Sequence, residues 1–365
     1  MAAGSSCAAH GNSPRSLFVN GEQGAWFDAS DMSTMYQDSA GTTPVTAVGQ
    51  PVGLMLDKRL GAVRGAVVNT TTSVNGVAIG GPLTTAYSIG GSITINEVYE
   101  IQFTVSDYAG TGTLGFGSSS FASANVSANG TYRYILPAVS TRVPALFTRD
   151  TNTANFSNIS IRPLPGNHRT QATAASRPTL RQDASGYYYL EYDGIDDSMA
   201  TGSVDFSGMD KMTVFAGINK ASDAASGVVV ELTTTSSATA GSFGLFAPVT
   251  AAANYQYRSG GTIPAVGAQS PASYAAPISN VLTGQSDIAG DSVTLRVNGS
   301  QVASSAGDQG TGNFANSVLY FGRRGGSTLP FNGREYQTII RGAATDATTI
   351  QRAERFVGSR MGISL

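Results

Sequence analysis

The sequence predicts an all-β chain of two sandwiches, closed by a single short helix. Three observations carry this. The 365 residues include 44 Gly and only 13% charged residues, alongside 15 Tyr and 15 Phe. That make-up suits short strands and turns and is poor in the Leu, Glu and Lys of a helical protein. Short alternating runs recur along the chain with Gly, Asn and Ser between them, as sandwich strands do. Convincing helical periodicity occurs only at the end, where Ile350, Ala353, Val357 and Met361 follow Asp346, a capping residue, and Gly362 stands at the stop position.

The length exceeds one ordinary domain, so two compact units are expected. A formal charge of −2, with no Lys/Arg run, argues against nucleic acid as a partner, because phosphate contacts need concentrated positive charge. Cys7 is the only cysteine, which excludes an intrachain disulfide or a cysteine-based zinc site. The start Met1–Cys7 has neither a basic leader nor an apolar run, and no span approaches membrane length. The expectation is a chain assembled in the cytoplasm without membrane insertion.

In chain order, residues 1–20 are mostly small and polar and read as a flexible arm. Leu17, Phe18 and Val19, with Arg15 nearby, form an apolar knot suited to docking on another subunit. Trp26, the only Trp, reads as a core anchor beside Phe27 and Met32. The β-rich runs 98–105, 112–116, 130–136, 145–148 and 156–162 suggest a sandwich of their own. Further strands follow at 212–218, 228–232, 242–246, 255–258, 293–297, 318–322 and 336–340. Asn298-Gly299, flanked by alternating runs, is the strongest hairpin signal.

The stretch 190–199 combines an alternating strand with a tight acidic turn. Leu190 and Tyr192 fall on one face, and Gly194 with the aspartates bends the chain. Tyr192-Asp193-Gly194-Ile195-Asp196-Asp197-Ser198 resembles the Phe-Asp-Gly-Val-Asp-Asp-Tyr signature of laminin-G-like, concanavalin A-like jelly rolls common in phage and bacterial surface proteins. Tyr192 replaces the usual Phe and Ser198 the usual aromatic. The opening Trp26-Phe27-Asp28 with Asp31, and the tail Glu354–Ile363, are similar to the ends of the phage-encoded members. In those relatives an Asp-Lys turn runs almost directly into Gly-Asn-His-Ala-Thr-Gln. Here Asp57-Lys58 and Gly166-Asn167-His168-Arg169-Thr170-Gln171 are far apart.

The resemblance implies an N-terminal arm at 1–20, a discontinuous laminin-G-like jelly roll at 21–61 and 166–365, and an insert at 62–165. The insert resembles carbohydrate-binding-module jelly rolls, with Gly130-Thr131-Tyr132-Arg133-Tyr134 and Asn158-Ile159-Ser160-Ile161 as matching strands. It further implies a bacteriophage virion surface structural protein, a capsid decoration or a tail or fibre component, that adheres to host-surface glycans. The partners expected are other virion proteins through the arm and further copies of the chain. The alternatives are a glycan-degrading depolymerase and a purely structural subunit without a ligand.

Glu191-Tyr192-Asp193-Gly194-Ile195-Asp196 comes close to the Glu-x-Asp-x-x-Glu of some concanavalin-like glycosidases. Gly194 turns the chain before the third carboxylate aligns, so no enzymatic activity is expected. His10 and His168 are the only histidines, too few for a histidine metal cluster, and no Gly-x-Ser-x-Gly accompanies them. Asp193, Asp196 and Asp197 read either as turn formers bonding nearby N–H groups or, by the resemblance, as ligands of calcium, the one candidate cofactor. Tyr187, Tyr189, Tyr255, Tyr257, Tyr132 and Tyr134 are the candidate sugar platforms, with alternation turning about half of them inward.

Overall fold

The computed structural model describes residues 13–61, 64–79, 87–95, 97–110, 113–116, 124–138, 140, 144–149, 152–233, 239–263 and 265–365. They divide into two units, one of residues 13–38, Pro44–Gly61 and the described part of Asn167–Leu365, the other of Ser39–Thr43 and the described part of 62–166.

Among the described residues, the first unit is a sandwich of an eight-stranded and a nine-stranded sheet. Strand Asn332–Arg341 is central to the smaller sheet, pairing antiparallel with Gly24–Asp28, Tyr188–Asp193 and Lys211–Lys220. Alternation sends Phe27, Leu190, Tyr192, Val214 and Ile340 inward, where they meet Met55, Met199, Leu232, Phe243 and Tyr257 of the other sheet. The hairpin at Asn298-Gly299 joins Ser292–Val297 to Ser300–Ser305, both turn residues taking positive φ as a two-residue hairpin requires.

The smaller sheet also buries its outer face. Trp26, Phe215, Tyr336 and Ile339 lie under Ile350, Ala353, Val357 and Met361 of the helix Ala347–Ser359. Double coverage explains why residues 212–218 form an unbroken buried run instead of an alternating one. A Cβ at Gly217 would lie 2.8 Å from Val357 Cγ1 and 3.0 Å from Met361 Sδ, so the glycine lets the helix sit directly on the strand. Asp346 caps the helix, its carboxylate accepting from Thr349 N at 3.0 Å.

Residues 13–20 depart from the expected flexible arm. Pro14–Phe18 form a 3-10 turn, with Leu17 and Phe18 buried in the same outer layer and Arg341 Nε donating to Leu17 O at 2.7 Å. The outer sheet face offers enough apolar surface to hold both side chains, each contributing about 1.5–3 kcal/mol when buried. Neither is therefore available to dock on another chain. Val19 remains exposed.

The second unit has two four-stranded sheets among its described residues. Its core comprises Ile101, Phe103, Val105, Phe156 and Ile161, with Ile89 and Val126. Residues 39–43 belong to this unit, although the sequence reading ran the first unit unbroken from 21 to 61. The cause is local: Ile135 N donates to Ala40 O at 2.6 Å, and Gly41, at φ +66°, would bring a Cβ within 2.7 Å of Ile135 Cβ.

Asp57 fastens the two separated motif halves within the first unit. Its carboxylate accepts from Trp26 N at 2.9 Å, Arg59 N at 2.8 Å and Asn167 N at 2.9 Å. His168, buried beside it, uses Nδ1 to accept Asp57 N at 2.9 Å, so that nitrogen carries no proton.

Candidate functional site

The strand Tyr188–Asp193 ends in the acidic turn, where Gly194 takes φ +76° and packs against Asn332. Asp193 Oδ1 accepts from Ile195 N at 2.8 Å and Asp196 N at 3.2 Å. Asp197 Oδ2 accepts from Asp193 N at 3.0 Å, and Asp196 Oδ2 from Ser176 Oγ at 2.7 Å. Each aspartate thus uses one oxygen to shape the turn and leaves the other outside these bonds. One carboxylate oxygen from each lies within 4.8 Å of the others. Burial, reinforced by the charges of Asp193, Asp196 and Glu191, pushes the Asp197 carboxyl up to about 7. The donor set is all carboxyl oxygen, which suits a hard divalent cation.

The six tyrosines are not brought together. Tyr255 and Tyr257 are fully buried in the sandwich core, their hydroxyls meeting Asn280 Nδ2 at 2.8 Å and Ser286 Oγ at 3.2 Å. Burial pushes both phenols up. Tyr189 is buried against Tyr336, with ring centroids 5.5 Å apart, and half-buried Tyr187 packs in the same outer layer. Tyr189, Tyr255 and Tyr257 therefore present no ring to a ligand.

Tyr132 and Tyr134 are different. Both are half-buried and lie two residues apart on Gly130–Pro137, the outermost strand of its sheet. Each stacks on buried Phe103, at 5.7 Å and 28° for Tyr132 and at 6.2 Å and 21° for Tyr134. Phe103 thereby sets two rings in similar orientation along a sheet edge.

The carboxylates of the glycosidase-like run are occupied. Glu191 pairs with Arg181 at 2.8 Å, and Asp193 turns the chain as described. Sequence reasoning missed the buried charges elsewhere in the first unit, Arg169 with Glu335 and Glu231 with Arg324. A signal was present for the second pair: a glutamate inside the apolar run Val228-Val229-Val230-Glu231-Leu232 needs a partner.

No family model and no curated protein sequence matches this chain. Among solved structures, it is similar to the Ruminococcus gnavus IT-sialidase CBM40 bound to alpha2,3 sialyllactose. The identity is 18% and the TM-score 0.32, over 39% of this chain and 82% of that one. It is similar to the leech intramolecular trans-sialidase at 17% identity and TM-score 0.31, over 40% of this chain and 23% of that one. It is also similar to the receptor binding domain of botulinum neurotoxin mosaic serotype C/D, at 10% identity and TM-score 0.38, over 53% of this chain and 48% of that one.

Proposed function

We propose that the chain is a surface protein of a bacteriophage particle that holds host-surface glycans without cleaving them. The observation that carries the adhesion reading is the Tyr132–Tyr134 ledge on an edge strand, backed by Phe103. Rigid, half-exposed rings offer a sugar's apolar face a flat partner at little entropic cost. The phage setting is supported by the resemblance of opening, acidic turn and tail described above. A non-catalytic role is supported by the structural employment of Glu191, Asp193 and Asp196. Attachment to the particle falls to the segment before Ser13, outside the described residues, because Leu17 and Phe18 are internal to the first unit.

A panel of host-surface oligosaccharides tests the ledge. Tyr134→Ala is expected to weaken binding at least tenfold with the melting temperature preserved, and intact glycans should be recovered after incubation. Released fragments would overturn the non-catalytic reading, and unchanged affinity would remove the ledge. Gold labelling of intact particles checks the virion location.

Calcium is proposed as the ligand of the aspartate turn, where a divalent cation would offset the burial and the neighbouring charges that raise Asp197. A ligand that binds only the native state stabilises it by about 2.7 kcal/mol at a hundredfold excess over its Kd. Calcium should therefore raise the melting temperature relative to a chelator in the parent protein and not in Asp196→Asn. Coincident melts of the parent under the two conditions would eliminate the site.

A further inference from the structure

A row of polar side chains crosses the outer face of the nine-stranded sheet. Register places Tyr320 opposite Glu231, Glu231 opposite Gly244, Gly244 opposite Arg258, and Arg258 opposite Gly267. Their sequence neighbours Leu319, Leu232, Leu245 and Tyr257 point into the core, so alternation turns this row outward. The chain after Phe321 adds Arg324 above it. Arg324 Nε reaches Glu231 Oε2 at 3.3 Å, and Gly325 N donates to Glu231 Oε1 at 3.0 Å.

Glu231 is fully buried and committed to Arg324. Half-buried Arg258 has no carboxylate partner among the described residues; its Nε donates to Gln256 Oε1, and no acceptor there meets its two terminal nitrogens. Gly244 and Gly267 add no side chain of their own beside it, and the Gln256 amide lies over Gly267. The two guanidinium carbons lie 5.2 Å and 5.4 Å from the centroid of the same ring, Phe246. Two guanidinium groups thus converge on one ring, while the only carboxylate of the row is paired with Arg324, so the Arg258 charge has no carboxylate partner among the described residues. Burial, and secondarily the charge of Arg324, hold Arg258 below the usual arginine range. Such an arrangement is costly until an anion completes it.

We propose that this face binds the carboxylate of an acidic saccharide between Arg258 and Arg324. Arg258 supplies the free planar fork, which matches a carboxylate with two parallel hydrogen bonds. Glu231 acts as a positioning residue that fixes Arg324. Half-exposed Tyr320 borders the row and offers a ring to the sugar. The site lies on the first unit and does not depend on the Tyr132–Tyr134 ledge. It shares with the adhesion reading only the premise that the ligand is a saccharide.

The test uses the full chain and a panel of hexuronate- and sialate-terminated oligosaccharides with their neutral and sulfated counterparts. Binding of carboxylated members should fall at least tenfold in Arg258→Gln and be only partly retained in Arg258→Lys, which keeps the charge and loses the fork. Both variants should melt as the parent does. Carboxylated members bound equally well by Arg258→Gln would overturn the inference and leave adhesion standing. Equal binding of sulfated members would overturn the carboxylate assignment. No binding by any member would overturn both readings.

Discussion

Glu335→Ala should destabilise the first unit by about 3–5 kcal/mol, the usual effect of removing one partner from a buried ion pair. Arg169 is 1% exposed and donates to both Glu335 oxygens at 2.9 Å. Its guanidinium carbon lies 4.5 Å from the Phe27 ring and 4.6 Å from the Phe321 ring. Tyr192 OH at 2.9 Å and Thr338 Oγ1 at 2.6 Å complete the set around Glu335. Alanine would leave a cation between two aromatic rings and strand two hydroxyl donors. The double variant Arg169→Met, Glu335→Leu should recover most of the loss, because it removes both charges and keeps the volume filled. Urea titration checks both. A loss below about 1 kcal/mol for Glu335→Ala would mean that water reaches the guanidinium and that the pair is not a core element.

Asp57→Ala should cost about 3–6 kcal/mol. Three backbone donors, Trp26 N, Arg59 N and Asn167 N, lose a charged acceptor at once, and each such loss is worth about 1.5–3 kcal/mol before relaxation. Asp57→Asn keeps one acceptor oxygen and should fall between the parent and alanine. The same titration, with limited proteolysis around residues 58–62, reads the effect. Equal stability of the alanine variant and the parent would show that Asp57 does not hold the two motif halves together.

Much of the fold was legible because its signals are local. The all-β class, the terminal helix with its Asp346 cap and the Asn298-Gly299 hairpin each follow from a few adjacent residues. Alternation misled at the tyrosines for identifiable reasons. Tyr255 and Tyr257, two residues apart, share one face by period two, and that face is turned to the core, which alternation alone does not distinguish from the outer one. Tyr189 does face outward from its strand, but that face is covered by a helix from the far end of the chain. Leu17 and Phe18 were misread for the same reason, since their partners Trp26 and Ile339 become a surface only after the sheet forms. Arg169 and Glu335 stand 166 residues apart, and no local pattern announces such a pair. The convergence on Phe246 was equally hidden, because Arg258 and Arg324 meet only through sheet register.

The position of Trp26 decides what optical experiments on this protein can see. It is the chain's single tryptophan, it lies in the outer layer of the first unit, and Lys58 Nζ sits 4.7 Å from its ring centroid. Emission excited at the red edge of the absorption band therefore reports the first unit alone. Melting of the second unit, whose aromatic residues are Phe and Tyr, would pass unseen in that channel. A fluorescence trace that ends before the far-ultraviolet dichroism does would be the signature of two independent transitions, each then needing its own midpoint.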